Sequence, residues 1–181
     1  MKNVAMILFI GVSALGMTIA SSLAFAGVAT LPEVVKESSA LSLRGEGSLK
    51  FFGLKVYDAR LWTPQKAHSA ADVFALQLVY DMAFKGREIA ERTVGEMRKV
   101  GYGEEQKLKR WGEEMMRVFP DVKKGDTLVG VSIPGKGVKY YSRDKLIGSI
   151  DDAEFVKAFF DVWLSEKTSE PKLREKLLGA Q

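Results

Sequence analysis

Few side chains in this sequence could carry catalytic or metal-binding chemistry. The chain of 181 residues contains one histidine, His68, and no cysteine. A Ser–His–Asp triad or a histidine-based metal site would depend on that single imidazole, which lies in a polar stretch typical of a surface loop. The lack of cysteine excludes thiol nucleophiles, zinc–thiolate sites and iron–sulfur clusters from this chain. We expect no metal and no cofactor.

Aromatic residues on or beside predicted strands indicate a different kind of site. They are Phe51, Phe52, Tyr57, Trp62, Tyr140 and Tyr141. Most should lie in the core, but a sheet covered on one face by helices can also enclose a long apolar cleft. One polar group at the mouth of that cleft would hold an anionic head group.

Three short motifs have structural rather than chemical interpretations. Gly45-Glu46-Gly47 could suggest a phosphate loop, but an apolar strand follows where a helix is required, so a turn or bulge is favoured. Asp58 and Arg60 are two residues apart on a predicted strand, share a face and can form an ion pair. Pro134-Gly135-Lys136-Gly137 is typical of a hairpin turn.

Alternating apolar residues predict the strands that position these groups. The clearest strand covers residues 73–84, and its large apolar side chains share one face that must meet a core. Its small residues can face solvent or a second layer. Shorter strand signals cover residues 41–43, 49–52, 54–62, 127–133, 138–143 and 145–150.

Apolar spacings of three and four residues predict helices in four other segments. They are residues 86–100, residues 108–119 before Pro120, a segment capped by Asp151 or Asp152, and a last short segment opened by Pro171. Strands joined by short turns predict an antiparallel sheet, and helices clustered in sequence predict a separate layer. The fold is therefore expected to be α+β in two layers.

The stretch from Gly45 to Trp62 resembles the bacterial branch of the chalcone isomerase-like family. It contains a glycine-x-glycine motif and then an aromatic strand with the pair Val56-Tyr57. The resemblance continues in residues 84–88, 130–142, 155–164 and 169–179, and so covers nearly all of the chain after residue 26.

This resemblance implies an open β-sandwich, an antiparallel sheet covered by a helical layer with a cleft between them. In the plant enzymes the cleft closes a flavanone ring by intramolecular conjugate addition, and an arginine steadies the phenolate. Other members resemble fatty-acid binders in which arginine holds the carboxylate. Bacterial members resemble the enzymes in fold and mostly lack known activity.

The family's arginine position does not fall on an arginine here. Counted from Gly47, it falls on Leu49, and the next residue, Lys50, would point inward only after a bulge. Lysine would also replace a bidentate fork with a point charge. We expect Lys50, Arg44 or Arg60 to meet the carboxylate of a ligand.

The other functional positions of the family are partly filled. The orienting tyrosine falls near Ile89 or Ala90, the asparagine near Met97, and the hydroxyl residue on Thr168 or Ser169. The predicted ligand-binding residues are Lys50, Arg44, Tyr57, Arg60, Tyr80, Thr168 and Ser169.

The first 26 residues have the pattern of a secretory signal. One lysine precedes an apolar stretch at residues 4–20, and small residues then end in Ala24-Phe25-Ala26. A retained membrane anchor is the alternative, because residues 4–20 approach the length of a span. We predict cleavage before Gly27, a domain of residues 27–181 and a periplasmic location.

Charge and resemblance together favour one function and leave two alternatives open. The net charge of +4 is spread among acidic residues, which indicates no nucleic-acid partner but could favour anionic ligands or an anionic membrane surface. The favoured function is non-catalytic binding of a small apolar, acidic ligand such as a fatty acid. The alternatives are an intramolecular lyase or isomerase and an envelope interaction or assembly protein without a ligand.

Overall fold

The computed structural model describes residues 31, 32, 35, 40–64 and 71–179. The predicted signal segment and the loop that contains His68 lie outside these residues. None of the described helices is long and apolar enough to cross a membrane.

Antiparallel strands form one six-stranded sheet, in the order in which they follow along the chain. Among the described residues they are β1 (Ser42–Phe51), β2 (Leu54–Thr63), β3 (Phe74–Tyr80), β4 (Thr127–Ile133), β5 (Gly137–Ser142) and β6 (Lys145–Ile150). Short turns join β1 to β2, β4 to β5 and β5 to β6, whereas a helix pair separates β3 from β4.

Four helices in the described part of the chain begin and end near the predicted signals. They are α1 (Gly86–Val100), α2 (Glu105–Val118), α3 (Ala153–Leu164) and α4 (Pro171–Leu177). Gly101, with a φ of 114°, ends α1. The carboxylate of Asp152 caps α3 by accepting the backbone N–H groups of Glu154 and Phe155. The predicted α+β fold, an antiparallel sheet covered by a helical layer, is confirmed.

One face of the sheet packs against the helices through aromatic rings. The ring of Phe159 in α3 has its centroid 5.4 Å from that of Tyr140 and 5.3 Å from that of Trp163. Phe74 of β3 packs on Phe160 of α3, with centroids 4.5 Å apart. The apolar face of β3 is therefore buried by the helices, as its alternation predicts.

The opposite face of the sheet carries a smaller apolar cluster. It comprises Leu31, Val35, Leu41, Ala75, Val129, Val131 and Tyr141. Leu31, Val35 and Leu41, which precede β1, therefore contribute to a second layer. This layer covers the face of β3 that carries the small side chains.

The strand predicted for residues 73–84 is shorter in the structure. It ends at Tyr80, and Met82 is exposed. Phe84 exchanges backbone hydrogen bonds with Val122 at 3.0 and 2.9 Å instead of pairing with a neighbouring strand. The chain therefore leaves the sheet before the apolar alternation stops.

The glycine pair of the family motif lies inside β1, so the structure shows the bulge and not the turn of the two alternatives predicted for it. The register of β1 against β2 shifts between Leu43 and Gly45, as a bulge produces. A Cβ on Gly45 would overlap the carbonyl oxygen of Lys176, and one on Gly47 would lie 2.8 Å from Cδ1 of Leu173. The glycines let α4 lie directly on the strand.

Candidate ligand-binding site

Two tyrosines lie side by side at one end of the sheet, on the face that meets the helices. Leu49 of β1 pairs with Tyr57 of β2, which pairs with Tyr80 of β3. The two tyrosine rings have centroids 5.9 Å apart and meet edge to face. We call Leu49, Tyr57 and Tyr80 the tyrosine row. It unites two of the residues predicted to bind ligand.

The phenol groups of the tyrosine row are neutral hydrogen-bonding groups. Burial raises the pKa of Tyr57, although the Trp163 indole N–H, which donates to its hydroxyl at 2.9 Å, acts in the opposite direction. Burial also raises the pKa of Tyr80, and the neighbouring Tyr57 adds to the effect. Because the Tyr57 oxygen accepts the hydrogen bond from Trp163, its O–H proton remains available for donation to another acceptor.

A buried carboxylate, that of Glu96 in α1, lies beside this row. It accepts from the hydroxyl of Ser169 at 2.7 Å and pairs with Arg92 at 2.8 Å and Lys99 at 3.0 Å. Burial acts to raise the pKa of Glu96, but the Ser169 hydroxyl and the two cations outweigh it and lower that pKa. Glu96 is therefore ionised near neutral pH and contributes to raising the pKa of Tyr57.

The two predicted hydroxyl residues have different positions. Thr168 is buried, donates to the carbonyl of Val162 at 2.7 Å and accepts from the Glu170 N–H at 3.2 Å. It holds the connection between α3 and α4. Ser169 is exposed and joins that connection to Glu96 of α1.

The cations predicted to meet a carboxylate do not converge on the tyrosine row. Lys50 is exposed and Leu49 packs against the core, although the β1–β2 register shifts between them. Arg60 is three residues from Tyr57, and an odd spacing places it on the opposite face of the strand. Neither position therefore fits the predicted head-group role.

The ion pairs around Arg60 also differ from the predicted one. Arg60 and Asp58 share a face, but Arg60 Nε lies 2.9 Å from the Glu46 carboxylate and Asp58 accepts from Lys55 at 3.0 Å. The cross-strand neighbours in β1 and the β1–β2 hairpin provide closer partners than the residue two positions away.

Arg44 lies at the far end of β1 from the tyrosine row. Its guanidinium carbon would lie 3.7 Å from a Cβ on Gly179, which follows α4. A cation near the last carbonyl groups of a helix is favourable. Arg44 therefore lies against the C-terminal end of α4.

Three residues near the tyrosine row were not predicted as site residues. Trp163 was assigned to the apolar face of α3, and its hydrogen bond to Tyr57 joins positions far apart in sequence. Arg92 and Glu96 are four residues apart, a spacing typical of a helical ion pair, but nothing local indicates the site beside them.

A surface pocket of about 660 Å³ lies elsewhere, between the α1–α2 loop and the start of α3. No strand contributes to it, so it is not the predicted cleft. Its polar groups already bind one another, since Lys107 pairs with Glu154 and the Tyr102 hydroxyl donates to Asp161 at 2.7 Å. Within the described ranges, no group of three acidic or histidine side chains could hold a metal ion.

The sequence profile of the chalcone isomerase-like family matches residues 22–179, most of the chain. The chain belongs to the chalcone isomerase-like family. A relative, an uncharacterized protein of Haemophilus influenzae, is 29% identical over 106 residues, which cover 58% of this chain and 50% of the relative. The chain thus spans about half the length of that relative.

Solved structures show the same fold as this chalcone isomerase-like protein. A crystal structure of a fatty-acid binding protein of Arabidopsis thaliana superposes with a TM-score of 0.57 and 14% identity. The match covers 76% of this chain and 86% of the plant protein.

Apolar residues occupy most of the positions at which the sequence predicts the family's functional residues. Leu49, at the predicted arginine position, is partly buried against the core, and Ile89 is partly buried as well. Ala90 and Met97 are fully buried. The surface at the tyrosine row is therefore apolar, with two phenols and a neighbouring ion-pair cluster of Glu96, Arg92 and Lys99.

Proposed function

We propose that the protein is an exported, non-catalytic member of its family that binds a small apolar, acidic ligand such as a fatty acid. Binding occurs at the tyrosine row, between the sheet and the helical layer, after removal of residues 1–26 and release into the periplasm. The observation that carries the proposal is the pair of neutral phenols, of which Tyr57 keeps a proton to donate.

The phenols suit the head group of such a ligand. A neutral O–H group that donates to a carboxylate forms a charge-assisted hydrogen bond, which is about twice as strong as one between neutral groups. Family membership and the shared fold of a plant fatty-acid binding protein support a ligand of this class.

Half-buried apolar side chains around the phenols suit the tail of the ligand. Leu49 pairs with Tyr57, the Phe84 ring has its centroid 6.1 Å from that of Tyr80, and both side chains remain partly exposed. An apolar tail that covers them would remove their surface from water, the main favourable contribution to binding of this kind.

Non-catalytic binding is favoured over cyclisation, because the positions predicted to match the enzymes' arginine and asparagine carry no charged or polar side chain. Leu49 and Met97 take the places of the arginine and the asparagine, and apolar groups cannot stabilise a developing negative charge. Lys50, the nearest cation in sequence, points to solvent.

Titration with a fluorescent polyunsaturated fatty acid tests the proposal. Tyr80→Phe should weaken binding about tenfold or more, because a hydrogen bond to a charged group contributes about 1.5–3 kcal/mol. Tyr80 makes no hydrogen bond through its hydroxyl within the described residues, so the change should leave stability nearly unaltered. Tyr141→Phe, in the cluster on the other face, is the matched control and should bind like the wild type.

Mass spectrometry of lipids extracted from the purified protein provides the independent measurement. The proposal predicts a co-purified fatty acid in wild type and less of it in Tyr80→Phe. No uptake by wild type, or equal affinity in Tyr80→Phe and Tyr141→Phe, would count against it.

A ligand-free interaction or assembly protein of the envelope is the second candidate. It is favoured by the aromatic rings of Tyr140, Phe159, Phe160 and Phe74, which fill the centre of the interface between sheet and helices. Recovery of a stoichiometric protein partner from envelope extracts, together with an empty lipid fraction, would support this candidate.

A further inference from the structure

The turn between β1 and β2 exposes large apolar side chains to solvent. We call residues 50–55 the hairpin tip. Phe52 is 91% exposed, Leu54 63% and Phe51 61%. The two phenylalanine rings contact each other, with centroids 4.5 Å apart. These side chains therefore form one protruding apolar group.

The backbone conformation of the hairpin tip does not favour phenylalanine at position 52. Phe52 has a φ of 47° and Gly53 a φ of 80°, as in the two-residue type I′ hairpin turn. That turn favours Asn-Gly, because a left-handed conformation costs conformational energy in a residue with a bulky side chain. An aromatic residue that is exposed and has a disfavoured backbone conformation indicates that its side chain contacts another molecule.

Two lysines flank the apolar group. Lys50 and Lys55 are direct partners across the β1–β2 pair, where like charges repel. Lys55 also pairs with Asp58 at 3.0 Å and lies 3.8 Å from Asp81. Lys50 makes no ion pair with any residue that the structure describes, so the tip combines apolar bulk with uncompensated positive charge.

Another lysine and another exposed apolar side chain lie near the hairpin tip. Lys124, in the connection from α2 to β4, also reaches Asp81, at 3.3 Å, and so lies beside Lys55. Met82, next to Asp81 in sequence, is 37% exposed. The end of the sheet that carries the tip therefore presents apolar side chains beside three lysines, of which Lys55 and Lys124 are paired with aspartates.

We propose that the hairpin tip docks the protein onto an anionic lipid bilayer. Phe51, Phe52 and Leu54 enter the boundary between head groups and acyl chains, and Lys50 and Lys55 meet lipid phosphates. Exposed aromatic residues bracketed by basic ones are typical of interfacial binding. A second copy of this chain fits less well, because a symmetric contact would bring both lysine pairs together.

The inference does not depend on ligand binding. It does place the tyrosine row close to the bilayer, since Leu49 and Tyr57 lie directly behind the hairpin tip in β1 and β2. A lipid-derived ligand would therefore have a short path between the membrane and the row.

Vesicle flotation with the purified protein, its N-terminus confirmed by mass spectrometry, tests the docking. Wild type should float with vesicles of phosphatidylglycerol and phosphatidylethanolamine, and less with pure phosphatidylcholine. Phe52→Asn should weaken partitioning about tenfold or more, since it removes an exposed aromatic side chain that the bilayer would bury. Because Asn-Gly suits the turn, its thermal stability should equal or exceed that of wild type.

Two further variants separate the apolar and the charged contributions. Lys50→Gln should weaken binding to the anionic vesicles about fivefold, and added salt should reduce this difference. Leu43→Ser, at the other end of β1 and 47% exposed, is the matched apolar control and should bind like wild type.

Three results would overturn the proposal. They are failure of wild type to bind anionic vesicles, unchanged binding by Phe52→Asn, and a wild-type dimer in sedimentation that Phe52→Asn abolishes.

Discussion

Glu96 connects three elements through a single buried carboxylate. It belongs to α1, receives the Ser169 hydroxyl from the α3–α4 connection and lies close enough to Tyr57 to raise the pKa of that phenol. Charged groups in this position stabilise the fold only while they remain ionised.

Acidification should therefore weaken the fold through Glu96. Its pKa is lowered in the folded state, so its contribution is complete above the ordinary value of 4.5 and is lost as pH falls through the folded pKa. Glu96→Gln should lower the free energy of unfolding at neutral pH by about 1–2 kcal/mol and make the acid-side loss shallower. Urea denaturation across this pH range measures both effects.

Glu166→Gln is the control for that experiment, because the Glu166 side chain is 91% exposed. It should unfold like wild type at each pH. Equal acid-side slopes for wild type and Glu96→Gln would contradict the assigned role.

At the residue scale, the sequence predicted two residues that lie together in the structure, and their role in ligand binding stays a prediction. Tyr57 and Tyr80 were named, and the structure places them side by side. Counting residues along β2 would have excluded Arg60 from the predicted site, because its spacing of three residues from Tyr57 places the two side chains on opposite faces of the sheet. Trp163 could not have been identified, because its contact with Tyr57 depends on how α3 lies across the sheet.

At the element scale, the contact of α4 with β1 depends on the absence of two side chains. A Cβ on Gly47 would lie 2.8 Å from Leu173 Cδ1, an end that can move, whereas one on Gly45 would overlap backbone atoms of α4. The two positions should therefore differ in their tolerance of alanine.

Gly47→Ala should destabilise the protein by about 1–3 kcal/mol, and Gly45→Ala by more, since the whole helix must shift. The control is Gly95→Ala inside α1, where nothing lies within 4 Å of the added Cβ. It should stabilise by about 0.5–1 kcal/mol, because glycine is unfavourable in a helix. Thermal unfolding compares the three, and a neutral Gly45→Ala would contradict the close approach.

Element type was predictable where the periodicity was strong. The spacing of α1 and α2 and the alternation of β3 gave the correct element in each case. β1 was divided in the prediction because its glycines are typical of a turn or a bulge, and only the packing of α4 shows why a continuous, bulged strand carries them. The end of β3 was missed because Phe84 continues the apolar pattern while pairing with Val122.

At the scale of the whole molecule, the order of elements and the family motif predicted the fold together. Sequence could not show how completely aromatic rings from α3 would fill the space beneath the sheet, because ring packing depends on side chains from distant segments. The room left for a ligand is the property on which the proposed function depends.

A crystal structure of the protein grown with excess fatty acid measures that property directly. We predict elongated density along the apolar surface around Leu49 and Phe84, with a carboxylate within about 2.5–3.0 Å of the Tyr57 and Tyr80 hydroxyl oxygens. Density for protein side chains alone, with the rings of α3 packed as they are without ligand, would contradict the account.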